Sequence, residues 1–234
     1  GRMRNLYSSS LARLVEEARP LGELPWQADL QALLGAYLHS GGRALKDEVM
    51  QSRALNRIGA ALIAGGDPPR AARMLERALD LISRQTSWET LSETYLLLAR
   101  AYARLDHLDA AENLLISAVE LAYQLGAGGH LVPALAALAA LWRRRGREGE
   151  QAEQFLPRAI GFLEERHQLH LAAQVRRLLA EGRRRSGQPA QAEAQLRHAL
   201  AAFQRAGDRR EAGLTALALA DCLVDLERAA AAQA

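Results

Sequence analysis

Arginine is the residue through which this chain can do most chemistry. A guanidinium is always charged and grips carboxylate or phosphate through two parallel hydrogen bonds, which an ammonium cannot do. The 234-residue sequence has 29 arginines against a single lysine, Lys46, within a formal charge of only +3. Two triplets are prominent, Arg143-Arg144-Arg145 and Arg183-Arg184-Arg185. Such runs can contact phosphates, which makes nucleic acid a rival partner, or they can set positive charge against the negative end of a helix. A GC-rich coding sequence would also favour arginine over lysine without any function, so the distribution of the arginines has to decide.

Other chemistry is sparse. His167 and His170 are three residues apart, a spacing that can share a metal, but no carboxylate or cysteine set accompanies them, so no metal and no cofactor is expected. Cys222 is the only cysteine. It excludes an intramolecular disulfide, and a cytoplasmic protein is the expectation. Its neighbours Ala218, Leu219 and Leu223 predict a small buried apolar role. No phosphate loop, zinc-protease His-Glu pair or Gly-x-Ser-x-Gly elbow occurs, and Gly41-Gly42-Arg43 and Gly126-Ala127-Gly128-Gly129 read as turns between helices, so an enzyme is not expected. The longest apolar run, Leu131 to Trp142, contains Pro133 and falls short of the roughly twenty residues a membrane span requires. No apolar signal core follows the N-terminus.

The elements that position these residues follow from composition and period. Alanine (47) and leucine (42) dominate, while valine, isoleucine and threonine together number fifteen, too few to furnish a sheet. The fold class is all-α. Four segments align on their closing turn residues Gly66, Asp106, Gly146 and Gly187, at steps of 40, 40 and 41 residues. After each turn comes a small, large, small set: Ala71, Leu75, Ala78; Ala111, Leu115, Ala118; Ala152, Leu156, Ala159; and Ala192, Leu196, Ala199. Each unit is therefore a helical hairpin in which alanine lets the partner axis approach closely. Thr86 with Glu89, and Asp208 with Glu211, have the spacing of capping boxes. The spacing predicts helices over 43–65, 68–85, 87–105, 108–126, 130–146, 149–166, 168–186, 189–206 and 208–228, preceded by two more over 5–19 and 26–40. The organisation is a degenerate hairpin (1–42), four hairpins (43–207) and a capping helix with its tail (208–234), all in one domain of about eleven helices.

These hairpins resemble tetratricopeptide repeats. The resemblance is carried in the first helix of each unit by Ile58-Gly59-Leu62, Leu98-Ala99-Tyr102, Leu138-Ala139-Trp142 and Leu179-Ala180-Arg183, and in the second by the alanine-leucine-alanine sets. It covers residues 52–228, with a period of about 40 in place of the family's usual 34 and without its closing proline. The longer period is similar to the sensor domain of the bacterial maltose-regulon transcription activator. The family implies a right-handed superhelical solenoid of antiparallel helix pairs. Arg183 stands where an aromatic is usual, which predicts looser packing in the fourth unit. Trp142, Tyr102 and Phe155 are expected in inter-helix packing, and Trp88 partly exposed.

The resemblance also implies which residues line the concave face, because the family builds that surface mainly from the first helix of each pair. The corresponding positions include Arg53, Asn56 and Arg57; Leu96, Leu97, Arg100 and Arg104; Arg143 and Arg144; and Gln174, Arg177, Arg184 and Arg185. Nine arginines and two glutamates, Glu93 and Glu181, fall on these places, where a near-balanced chain of 30 basic and 27 acidic residues would predict parity. A basic groove closed by Asp221 and Asp225 is the expectation, holding an acidic peptide or protein segment. The alternative is a solvated face whose arginines pair with glutamates on adjacent helices. Two further functional readings stand beside the scaffold: a ligand- or partner-sensing module of a multidomain transcription regulator, and nucleic-acid binding. Paired solenoid ends could also form a homodimer.

Overall fold

The computed structural model describes residues 48–82 and 87–233. Among these, nine helices and no strand occur: α1 (Glu48–Ala64), α2 (Pro68–Ile82), α3 (Trp88–Arg104), α4 (Leu108–Leu125), α5 (Gly128–Arg144), α6 (Glu148–Glu165), α7 (Leu169–Arg185), α8 (Pro189–Arg205) and α9 (Arg209–Gln233). The helices expected over 5–19 and 26–40, the Gly41-Gly42-Arg43 turn, and Thr86 of one capping box lie outside the described residues. Two helix ends differ from the sequence expectation. α5 starts at Gly128, so Gly128 and Gly129 form its first turn, and α9 continues to Gln233 through an alanine run that has no helix-stopping residue.

Turn chemistry sets the period. Gly66, Asp106, Gly146 and Gly187 all take positive φ, between 64° and 82°, the left-handed conformation that ends a helix. The backbone then reverses through the same bond each time. The N–H of the residue after each positive-φ position donates to a carbonyl five residues back: Asp67 to Leu62, His107 to Tyr102, Arg147 to Trp142 and Gln188 to Arg183. The turns that close α4, α6 and α8 use it as well, from Ala127 to Ala122, Gln168 to Leu163 and Asp208 to Phe203. Asp208 then caps α9, its Oδ1 accepting the Glu211 N–H at 3.0 Å, as the Asp-Glu spacing predicts.

The chain divides into two compact units at Leu121 and Ala122, within α4. In the N-terminal unit α1 packs on α2, and α3 packs on both. Leu62, Ala71, Leu75, Leu98 and Ala101 are buried together there, with Tyr102 and Leu114 against them. Gly59 makes this approach feasible: a Cβ at that position would lie 2.6 Å from Leu75 Cγ, and Leu75 is fully enclosed. In the C-terminal unit α5, α6 and α7 pack on one another, α7 and α8 pair, and α9 covers α8 with a lesser contact to α7. Its largest buried side chains include Trp142, Phe203, Leu131, Leu135, Leu156 and Leu163. The twelve residues of the four small-large-small sets are all at most 2% exposed, so that pattern identified the inner face of every second helix.

Candidate interaction surface

In the N-terminal unit the residues nominated for recognition separate into three kinds. Asn56 is fully buried, and its amide bridges α1 to α3. Its Nδ2 donates to the Thr90 carbonyl and to Glu93 Oε2, each at 3.4 Å. The Thr94 hydroxyl lies 3.0 Å from Asn56 Oδ1 and 2.7 Å from the Thr90 carbonyl, donating to one at a time. Arg53 Nε donates to Thr90 Oγ1 at 3.1 Å, and Leu97 belongs to the apolar core while Leu96 is half-buried. Asn56 and Leu97 therefore face a neighbouring helix and not solvent. Arg104 is exposed but donates through NH1 to the Ile63 carbonyl at 2.6 Å, satisfying an acceptor at the C-terminal end of α1. Arg57 and Arg100 are the third kind: exposed, on packed helices α1 and α3, with no hydrogen-bond or ion-pair partner among the described residues.

In the C-terminal unit the nominated cations are largely neutralised within the fold. Arg143 NH1 reaches Glu181 Oε1 at 3.2 Å, Arg177 reaches Glu211 at 2.9 Å and Arg184 reaches Asp225 at 3.0 Å. Arg185 pairs with the largely buried Glu148 at 3.1 Å and with Glu181. Arg144 also has an interaction partner, and Gln174 is half-buried. Most of these acids come from the next first-position helix, 34 to 41 residues further on. That is one repeat, so the rungs tie consecutive first helices together. A signal for this was available in the sequence: Glu181 and Asp225 were themselves on the lining positions, one period after Arg143 and Arg184. Asp225, expected to close the groove with Asp221, is taken by Arg184, whereas Asp221 is exposed. A cavity of about 300 Å³ opens between α7 and α9, walled by Leu178, Leu214 and Leu217 and by the Arg177, Arg184 and Asp221 side chains.

The other candidate chemistry is absorbed by packing. Arg183 donates twice to Glu153 of the preceding hairpin, at 2.5 and 2.9 Å. The site of the missing aromatic is thus bridged by an ion pair while Leu179 and Ala180 beside it stay buried, in place of the expected looseness. The Arg183 guanidinium holds the Glu153 carboxyl below the usual carboxylate range. Because that shift is downward on folding, the pair contributes fully at neutral pH and its contribution fades as pH falls through the carboxylate range. Glu153→Gln is expected to cost about 0.5–1 kcal/mol at neutral pH and nothing in acid, read from urea midpoints at the two pH values. Loss of equal size at both would remove the electrostatic account. His170 Nε2 lies 2.9 Å from Asp208 Oδ2 and its ring meets Phe203 edge-on, while His167 occupies a left-handed turn. No metal-binding group of three or more His, Cys, Asp or Glu exists among the described residues. Cys222 is fully buried, its Sγ donating to the Pro189 carbonyl at 3.1 Å, and burial pushes its thiol pKa up. Trp142 and Phe155 pack with ring centroids 5.3 Å apart and planes tilted by 45°, and Trp88 is half-exposed. Among the described residues no helix is long and apolar enough to cross a membrane.

Left-handed turns at a 40-residue step and a buried small-large-small set in every second helix describe a repeat of helix pairs. Residues 50–124 match the tetratricopeptide repeat family model. Two crystal structures share the fold at low identity. BtubC (BKLC) from P. vanneervenii superposes with a TM-score of 0.62 at 16% identity, covering 86% of this chain and 92% of that one. A Podosopora anserina chain of nearly identical TPR-like repeats gives 0.60 at 18% identity, covering 89% and 97%. No curated protein matches the sequence. Tetratricopeptide repeats generally serve as scaffolds for protein–protein interaction and are typically non-enzymatic.

Proposed function

We propose that this chain is a non-enzymatic scaffold that binds an acidic segment of a protein partner, and that the cations reading it are Arg57 and Arg100 of the N-terminal unit. The observation that carries this reading is the contrast in partners. Arg143, Arg177, Arg184 and Arg185 already hold carboxylates, whereas Arg57 and Arg100 are exposed and hold none among the described residues. A guanidinium already paired must break a contact to bind a ligand; an unpaired one gains a contact without that loss. The half-buried Leu96 next to this region supplies apolar area, while the charges give orientation and a faster encounter.

The test is selection of a displayed random-peptide library on the intact chain, followed by fluorescence anisotropy on the selected peptides. Enrichment of Asp and Glu beside an apolar residue is expected. Arg57→Glu with Arg100→Glu should weaken binding roughly tenfold or more, and Arg143→Glu with Arg184→Glu by much less. Selected peptides without acidic bias, or binding untouched by the first pair of reversals, would remove the proposal.

A further inference from the structure

The final helix has two faces with opposite duties. Its inner face packs on α7 and α8 through Thr215, Leu219 and Cys222, with Glu211 and Asp225 holding arginines of α7. On the opposite side of the helix lie Arg210, Gly213, Leu217, Ala220, Val224 and Glu227, all exposed. These positions step by three and four residues in strict alternation, the spacing that keeps one seam of a helix facing a partner helix. Leu217 is 64% exposed and Val224 44%, large apolar side chains left in water on a helix whose other side is well packed. Arg210 and Glu227, at the two ends of the row, have no ion-pair partner among the described residues.

We infer that this row is a homodimer seam, closed by the α9 of a second copy running antiparallel. The occupant follows from the order of side chains. A two-fold axis level with the Ala218–Leu219 bond sets Leu217 of one copy against Ala220 of the other, Gly213 against Val224 and Arg210 against Glu227. Every large side chain meets a small one and every charge meets its opposite, each contact occurring twice, as an isologous interface requires. A parallel copy would put Arg210 on Arg210 and Leu217 on Leu217. The seam is about 26 Å long at the rise of an α-helix. Asp221 flanks its midpoint, level with Ala216 of the other copy and about 7.5 Å along the axis from its own symmetry mate, so the two carboxylates repel across solvent and weaken the dimer slightly. Leu217 also borders the cavity beside α7, so association narrows the mouth of that cavity.

Sedimentation equilibrium of the full chain over roughly a hundredfold dilution tests this, since the dimer fraction must follow mass action. The expected result is a two-chain mass that falls to one chain on dilution. Leu217→Glu should give one chain throughout with unchanged helical circular dichroism, because that side chain is largely exposed at the cavity rim. Arg210→Glu and Glu227→Arg should each weaken the dimer roughly tenfold, two symmetric contacts being lost at once, and the double reversal should restore it to within roughly threefold of the parent. A single-chain mass at every concentration overturns the seam. So does a dimer that survives Leu217→Glu, or a double reversal no better than its single components.

Discussion

Trp142→Ala is expected to lower the stability of the C-terminal unit by about 3–5 kcal/mol, the range for removing a large aromatic from a closed core. Trp142 is fully buried near the end of α5 and packs on Phe155 of α6 with ring centroids 5.3 Å apart. Its removal leaves a void between two helices whose backbone turn is held by the Trp142 carbonyl, the acceptor for the Arg147 N–H at 2.9 Å. That bond fixes the end of α5 and limits collapse into the space, so the cavity cost is retained. Trp142→Phe, which keeps the ring contact, should cost about half as much. Urea unfolding followed by far-ultraviolet circular dichroism reads both variants. A loss below about 1 kcal/mol for the alanine variant would mean that the core is not closed around this ring.

Asn56→Asp should be as damaging, by a different route. The amide is buried, and its Nδ2 faces Glu93 Oε2 and the Thr90 carbonyl. A carboxylate in its place sets negative charge against a carboxylate and a carbonyl oxygen inside the fold, with the Thr94 hydroxyl as a neutral donor to it and Arg53 already engaged by Thr90 and Glu89. Leaving an uncompensated buried charge costs about 3–5 kcal/mol. Both burial and Glu93 push the new carboxyl upward, so the variant should regain stability as pH falls and that group becomes neutral. Asn56→Ala, which only orphans hydrogen bonds, should cost about 1–3 kcal/mol at every pH. An Asp variant whose deficit stays constant from neutral to acid pH would exclude this electrostatic account.

These two residues also show where sequence reasoning succeeded and where it stopped. Trp142 was assigned to packing from its register beside Leu138 and Ala139, and it is there. Asn56 was assigned to the binding surface from its register in the first helix, and it is enclosed. Both inferences used position along one helix. That suffices for a side chain whose partner is the other helix of the same hairpin. It fails for a side chain whose partner belongs to the next hairpin, because Thr90, Glu93 and Thr94 are chosen by stacking and not by local pattern. Arg183 is the same case in reverse: the absent aromatic predicted a gap, and Glu153 of the preceding hairpin fills the role with an ion pair.

The succession of helix pairs and the inner face of every second helix are written in the residues themselves. The causes are local: a residue with positive φ ends α1 and each helix from α3 to α8, and a small-large-small stripe can be buried in only one direction. What tertiary structure decided is which charges remain available. Arg57 and Arg143 both fall on lining places of a first helix, yet one meets solvent and the other meets Glu181 at 3.2 Å. Coulombic partners act across distances that fold-level stacking creates, so availability is a property of neighbours one repeat away and not of the residue itself.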